Sequence, residues 1–202
     1  MAGYLFEKKR WGCKRLSQKT KVEGKFGDVI IHLGDITFSG SDNEVVDFLE
    51  WFIELPYKYK IFIAGNHDDC LYQANIDGLP ENCHYLCNSG ISIENIFFYG
   101  IPMFMQDIID ASSDNFLNKI PSNTNVLITH QPPYNILDFA DKNHYGDLTL
   151  LQKVLQIQPR YHLFGLIHAA YGTEIIDNTT YVNASILNEQ YLLANKPIIL
   201  EL

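Results

Sequence analysis

Arginine is scarce in this chain: beyond Arg15 the only one is Arg160, so no arginine-rich phosphate clamp is evident. The four cysteines, Cys13, Cys70, Cys83 and Cys87, include no Cys-x-x-Cys pair, and reduced thiols in a cytosolic protein account for them most simply. Cys83 and Cys87 with His84 between them supply too few ligands for a closed tetrahedral zinc site. Long apolar runs are missing as well. The longest, Ile96 to Met105, contains Gly100 and Pro102 and excludes a membrane-spanning helix, and the N-terminus lacks the apolar centre of a signal peptide. A soluble, cytoplasmic protein is the expectation. Finally, no Asp and no His occurs between Met1 and Gly27.

What is present is unevenly distributed. The 202 residues suit one domain with a single large core, and the formal net charge is -9. Residues 1–27 carry eight Lys and Arg against Glu7 and Glu23, about +6, which leaves about -15 on the remainder. That balance argues against a nucleic-acid polymer as partner, because phosphate backbones need clustered cations. Residues 1–27 read as a poorly ordered basic segment or an aberrant, wrongly joined gene start, followed by one domain over 28–202.

From Asp28 onward, apolar runs alternate with helical patterns. Asp28 to Leu33 reads as a buried strand ending in Gly34-Asp35. Ser41 and Glu44 form a capping-box pattern, and Val45, Phe48, Leu49, Phe52 and Ile53 follow at helical spacing up to Pro56. Ile61 to Ala64 reads as the next strand and leads into Gly65-Asn66-His67-Asp68, completing a βαβ unit. Val126 to Thr129 is a strand that delivers His130, and Tyr161 to Gly165 one that delivers His168, with a helix over Leu148 to Ile157 between them. Late strands around Ile175, Tyr181 and Ile198 read as antiparallel.

Asp35, Asn66, His130 and His168 therefore each follow a strand directly. Carboxylate, amide and imidazole are the donors that hold divalent metals, and the ends of parallel strands are where open α/β sheets collect their ligands. His32, inside a strand, reads as a core residue, and His84, His144 and His162 have no motif around them.

The segments Gly27 to Asp35, Leu55 to Asp68, Thr129-His130-Gln131-Pro132-Pro133, Phe164 to His168, Tyr171-Gly172 and Asn183-Ala184-Ser185 resemble the calcineurin-like metallophosphoesterase superfamily, in its metallophosphoesterase-domain-containing branch. The resemblance implies an α/β fold, a four-layer sandwich of two mixed β-sheets flanked by helices. It implies that Asp35 is shared by two metals, that Asn66 and His130 hold the second and that His168 holds the first. His67 would stabilise charge on the phosphate or protonate the leaving oxygen, and Asp68 would orient its imidazole. Two metals about 3.5–4 Å apart lower the pKa of a bridging water and clamp an in-line displacement. The mixed nitrogen and oxygen ligands suit Mn, Fe or Zn better than Mg.

The chain departs from that pattern twice. An Asp-x-His on the opening strand has no counterpart, Glu7, Cys13 and Glu23 being the only candidate replacements, and Leu166 stands where the first His of Gly-His-x-His belongs. The reading is thus a metal-dependent phosphoesterase that hydrolyses a small phosphodiester, a cyclic nucleotide for example, with one or two divalent metals and activity impaired by the missing ligands. The alternatives are a catalytically inactive metal- or nucleotide-binding module of the same fold, and an interaction protein that keeps the fold alone.

Overall fold

Strict alternation within short buried strands decides the architecture. The computed structural model of the protein describes residues 2–6, 27–110 and 113–202, with side chains described for 27–110 and 115–202. In chain order the elements are β1 (Ala2–Phe6), β2 (Val29–His32), α1 (Asp42–Ile53), β3 (Tyr59–Phe62), β4 (Cys83–Tyr85), β5 (Ser89–Ile93), β6 (Ile96–Ile101), α2 (Met105–Ile109) and α3 (Ser113–Leu117). There follow β7 (Val126–Thr129), β8 (Phe139–Ala140), β9 (Asn143–His144), α4 (Leu148–Ile157), β10 (Tyr161–Phe164), β11 (Gly172–Ile176), β12 (Thr179–Asn183) and β13 (Ile198–Glu201).

The first sheet has the order β13-β1-β2-β3-β4 and the second the order β11-β12-β10-β7-β6-β5. Each has a parallel centre and antiparallel strands at its margin: β13 on β1, β11 on β12 and β5 on β6. Val29, Ile31, Ile61 and Ile63 turn inward and meet Phe98, Val126, Ile128 and Leu163 of the second sheet. Ile30 and Phe62 turn outward beneath Val45, Phe48 and Phe52 of α1, while Leu127 and Phe164 lie beneath Leu150 and Val154 of α4. Helix, sheet, sheet and helix make the expected four-layer sandwich.

Both long helices begin and end where the sequence says they should. Glu44 accepts hydrogen bonds from the backbone N–H of Phe38, Ser39 and Ser41 and from the hydroxyls of Ser39 and Ser41. Burial pushes its pKa up, but the bonds from Ser39, Phe38 and Ser41 outweigh that and hold it down at about 2. The same carboxylate therefore caps α1 and fixes the loop ahead of it. Asp147 caps α4 by accepting from the N–H of Leu150, and Gln158 closes it in a left-handed conformation, φ 47°. His32 packs edge-on against Phe48 and Phe52, as a core histidine does.

Two points differ from the sequence reading. The late strands do not form one antiparallel series, because β12 runs parallel to β10 and β13 crosses to the other sheet to pair with β1. Residues 1–27 also contain a strand. β1 lies parallel to β2, with Phe6 opposite His32, in the place where an opening strand bearing Asp-x-His is expected. Its sequence, Ala-Gly-Tyr-Leu-Phe, contains neither residue. The expectation of a poorly ordered or aberrant segment falls mainly on residues 7–26, and these, with Glu7, Cys13 and Glu23, lie outside the described residues.

Candidate metal centre

The turns after β2 and β3 share one end of the first sheet and those after β7 and β10 one end of the second, since each pair is parallel, and the contacts of His130 with Leu33 and Asn66 bring the two ends together. Asp35 and Asn66 come from the first sheet and His130 from the second. His130 Nδ1 donates to the carbonyl of Leu33 at 2.7 Å, which in the neutral imidazole places the lone pair on Nε2. That lone pair faces Asn66 Oδ1 at 3.1 Å and Asp35 Oδ1 at 3.5 Å. Three electron-pair donors converging on one point fit a divalent cation, which would satisfy all three together. His130 and Asp35 are buried, so the donors are held within a dry wall.

Close backbone contact makes this convergence possible. Gly34 and Gly65 touch back to back: a Cβ on Gly65 would stand 2.5 Å from both N and Oδ1 of Asp35 and 2.7 Å from Cε1 of His130. Gly34 has φ +96° and Asp35 φ +55°, left-handed values that swing the Asp35 carboxylate back toward the second sheet. The backbone N–H of His67 donates to Asp35 Oδ1 at 3.2 Å.

The Asp68 carboxylate accepts from the N–H of Gly65 at 2.7 Å, Ile36 at 3.0 Å and Thr37 at 2.7 Å. It therefore ties the Asp35 turn to the Asn66 turn from beneath. Burial raises its pKa above the usual carboxylate value, with the Asp35 charge adding to the shift and the three N–H bonds opposing it. His67 itself lies with Nδ1 3.4 Å from the carbonyl of Phe38, in the loop that Glu44 fixes.

His168 follows β10 in a short 3-10 turn, and its described contacts are the carbonyl of Asn188, 3.1 Å from Nδ1, and the ring of Tyr191. Among the described residues, His, Cys, Asp and Glu form no group of three able to hold a metal. Leu166, φ +67°, lines a cavity of about 450 Å³ beside His130, with Ile101, Phe104, Leu117, Leu150 and Tyr145. Its described lining includes Asp107 and Asp147 but no Lys or Arg.

His162, which has no motif around it in the sequence, is a buried core residue behind the His130 turn. Its Nε2 lies 2.9 Å from Thr129 Oγ1, and that hydroxyl donates to the carbonyl of Gln131 at 2.6 Å. The hydroxyl proton is thus committed, so Nε2 carries the ring proton and the bare, buried Nδ1 has no hydrogen-bond partner among the described residues. Burial pushes the pKa of His162 down to about 3. In the unfolded chain a histidine takes its proton near 6.5. Stability is therefore complete above about pH 6.5 and is lost progressively as pH falls toward 3. Urea unfolding should show the unmodified chain losing roughly 2–3 kcal/mol more than His162→Gln between pH 7 and pH 4.5. Equal losses would mean that His162 is not held neutral.

The buried Asp35 and His130 and the half-buried Asn66 thus lie together at strand ends of a two-sheet α/β sandwich. The model of the calcineurin-like phosphoesterase family matches residues 10–168, and the chain belongs to that family. It falls in the metallophosphoesterase-domain-containing branch. It is 35% identical to metallophosphoesterase domain-containing protein 1 of Homo sapiens and likewise to that of Mus musculus, over 92% of this chain and 68% of theirs. A UPF0046 protein of Caenorhabditis elegans is 33% identical over 86% of this chain and 67% of its own. A solved crystal structure with 14% identity shares the fold, at a TM-score of 0.61 over 91% of this chain and 90% of that one. No helix among the described residues is long and apolar enough to cross a membrane.

Proposed function

We propose that this chain is a metal-dependent phosphoesterase acting on a small phosphodiester such as a cyclic nucleotide. The observation that carries the reading is the convergence of Asp35 Oδ1, Asn66 Oδ1 and His130 Nε2 on one point, with the tautomer of His130 fixed by Leu33. A divalent ion there, Mn, Fe or Zn in preference to Mg, supplies Lewis-acid polarisation of the phosphoryl group and an activated water. His67, held next to Asp35 by its own N–H, is the group that stabilises developing charge or protonates the leaving oxygen. Asp68 acts by fixing both ligand turns. The apolar cavity beside His130 takes the organic part of the ester, since its described lining offers no cation for a second phosphate.

Leu166 favours a second reading, a metal- or nucleotide-binding module without turnover, because it presents a methyl surface where a donor is expected. Metal content and hydrolysis of bis(4-nitrophenyl) phosphate with Mn distinguish the two, with Leu166→His as the informative variant. The left-handed backbone at 166 suits His better than Leu, so the substitution should be tolerated. A weakened enzyme should bind Mn near stoichiometrically, turn over slowly and gain about tenfold or more in Leu166→His, the equivalent of ~1.4 kcal/mol of barrier. A chain inert in both forms is a binding module.

A further inference from the structure

Asn183 opens the Asn-Ala-Ser segment at the end of β12 and is fully buried. Its carboxamide is used on three sides. The two N–H groups donate to the carbonyl of Ile167 at 2.9 Å and that of Leu137 at 3.1 Å, and Oδ1 accepts from the N–H of Ser185 at 3.1 Å. One recipient carbonyl belongs to the residue just before His168. The other lies in the loop between β7 and α4, which leaves His130 and is organised around the buried Asp138 carboxylate.

One recipient, Leu137, and the residue ahead of the other, Leu166, sit in unfavourable backbone. Leu137 has φ +47°, and Leu166, just ahead of Ile167, has φ +67°. Leucine rarely adopts such angles, so each needs outside restraint to persist. At its other end the His168 turn is held by the N–H of Gly165, which donates to the carbonyl of His130 at 3.2 Å. The turn is thus fastened at the front to His130 and at the back to Asn183.

We infer that Asn183 is a positioning residue: its carboxamide holds the Leu166–His168 turn and the Leu137 loop in fixed register beside the metal centre. It acts through those two backbone carbonyls and touches no reacting atom. An aspartate of the same shape would keep the Ser185 bond, lose both N–H donors and place a carboxyl group against two carbonyl oxygens.

The test compares Asn183→Asp with Asn195→Ala in the full chain. Asn195 donates to the carbonyl of Ser185 at 2.9 Å, so its loss weakens the same strand end without touching the His168 turn. Imidazole 1H–13C spectra in chelator should show the His168 signal shifted by Asn183→Asp and unmoved by Asn195→Ala. With Mn and bis(4-nitrophenyl) phosphate, Asn183→Asp should lower kcat about tenfold or more and leave KM within about twofold, the range seen when a group supporting a site ligand is lost. In the unmodified chain the Asn183 side-chain N–H protons should exchange slowly with solvent, a measurement that needs no variant. An unmoved His168 signal, an equal shift from Asn195→Ala or fast amide exchange each overturns the proposal. The turnover arm rests on the phosphoesterase reading, whereas the spectra and the exchange do not. A chain without hydrolysis but with the expected shift would therefore sink only that reading.

Discussion

Asp35→Ala is expected to abolish high-affinity metal binding and to cut phosphodiester hydrolysis by on the order of a thousandfold. Lewis-acid stabilisation by a bound ion is worth several kcal/mol, and each 1.36 kcal/mol is a factor of ten in rate. The loss should be this large because Asp35 is the only anionic member of the described donor set, its partners being an amide and a neutral imidazole. The variant should still fold, because Asp68 continues to hold the N–H groups of Ile36 and Thr37. Metal content after dialysis, kcat/KM with Mn and thermal melting check the three statements separately. A variant that retained near-stoichiometric metal would remove Asp35 from the centre.

Gly65→Ala should have an effect of similar size on metal binding for a reason that involves no ligand. Its methyl group would stand 2.5 Å from Asp35 N and Oδ1 and 2.7 Å from His130 Cε1, and all three neighbours are pinned. The Asp35 turn is fastened through Asp68 and the His130 ring through Leu33, so neither can retreat without breaking a buried hydrogen bond. Overpacking of this kind costs about 1–3 kcal/mol. Relief comes only by separating the two turns, which pulls the donors apart. Gly78→Ala is the informative comparison. There φ is +78° and no atom lies within 4 Å of the new Cβ, so it carries backbone strain without collision. The expected result is a lowered melting temperature in both variants and at least a tenfold loss of Mn affinity in Gly65→Ala alone. Equal Mn affinity in the two would refute the packing argument.

The elements that carry the candidate site were legible where the signal is local. Val29 to His32, Val126 to Thr129 and Tyr161 to Phe164 are buried, largely apolar strands followed within three residues by Asp, His or Gly, so strand and candidate ligand could be read together. The capping pair Ser41 and Glu44 and the helix from Leu148 to Ile157 were legible for the same reason. Short strands of mixed character were not: Cys83-His84-Tyr85 has no periodicity of its own and is a strand because β3 offers it a parallel edge. Side-chain duty was harder still to read. The backbone duty of Asp68 was not legible: a turn bond from its N–H to the Gly65 carbonyl folds the carboxylate under the loop, where the N–H groups of Gly65, Ile36 and Thr37 reach it. The Thr129–His162 contact depends on how β7 and β10 register, a relation across strands that no single segment of sequence encodes.

The pairing of β1 with β13 bears on how the molecule is assembled. Gly3 lies opposite Leu200, so two of the five strands of the first sheet are brought together from segments separated by nearly the whole described chain. Bringing such distant segments together has a loop-closure cost and slows folding relative to local pairing. During synthesis β2, β3 and β4 can pair as each leaves the ribosome, but β1 must wait with an uncovered edge until residues 198–201 have been made. The turns after β2 and β3 and the outermost ladder of the same sheet are thereby set at opposite ends of the protein's folding history.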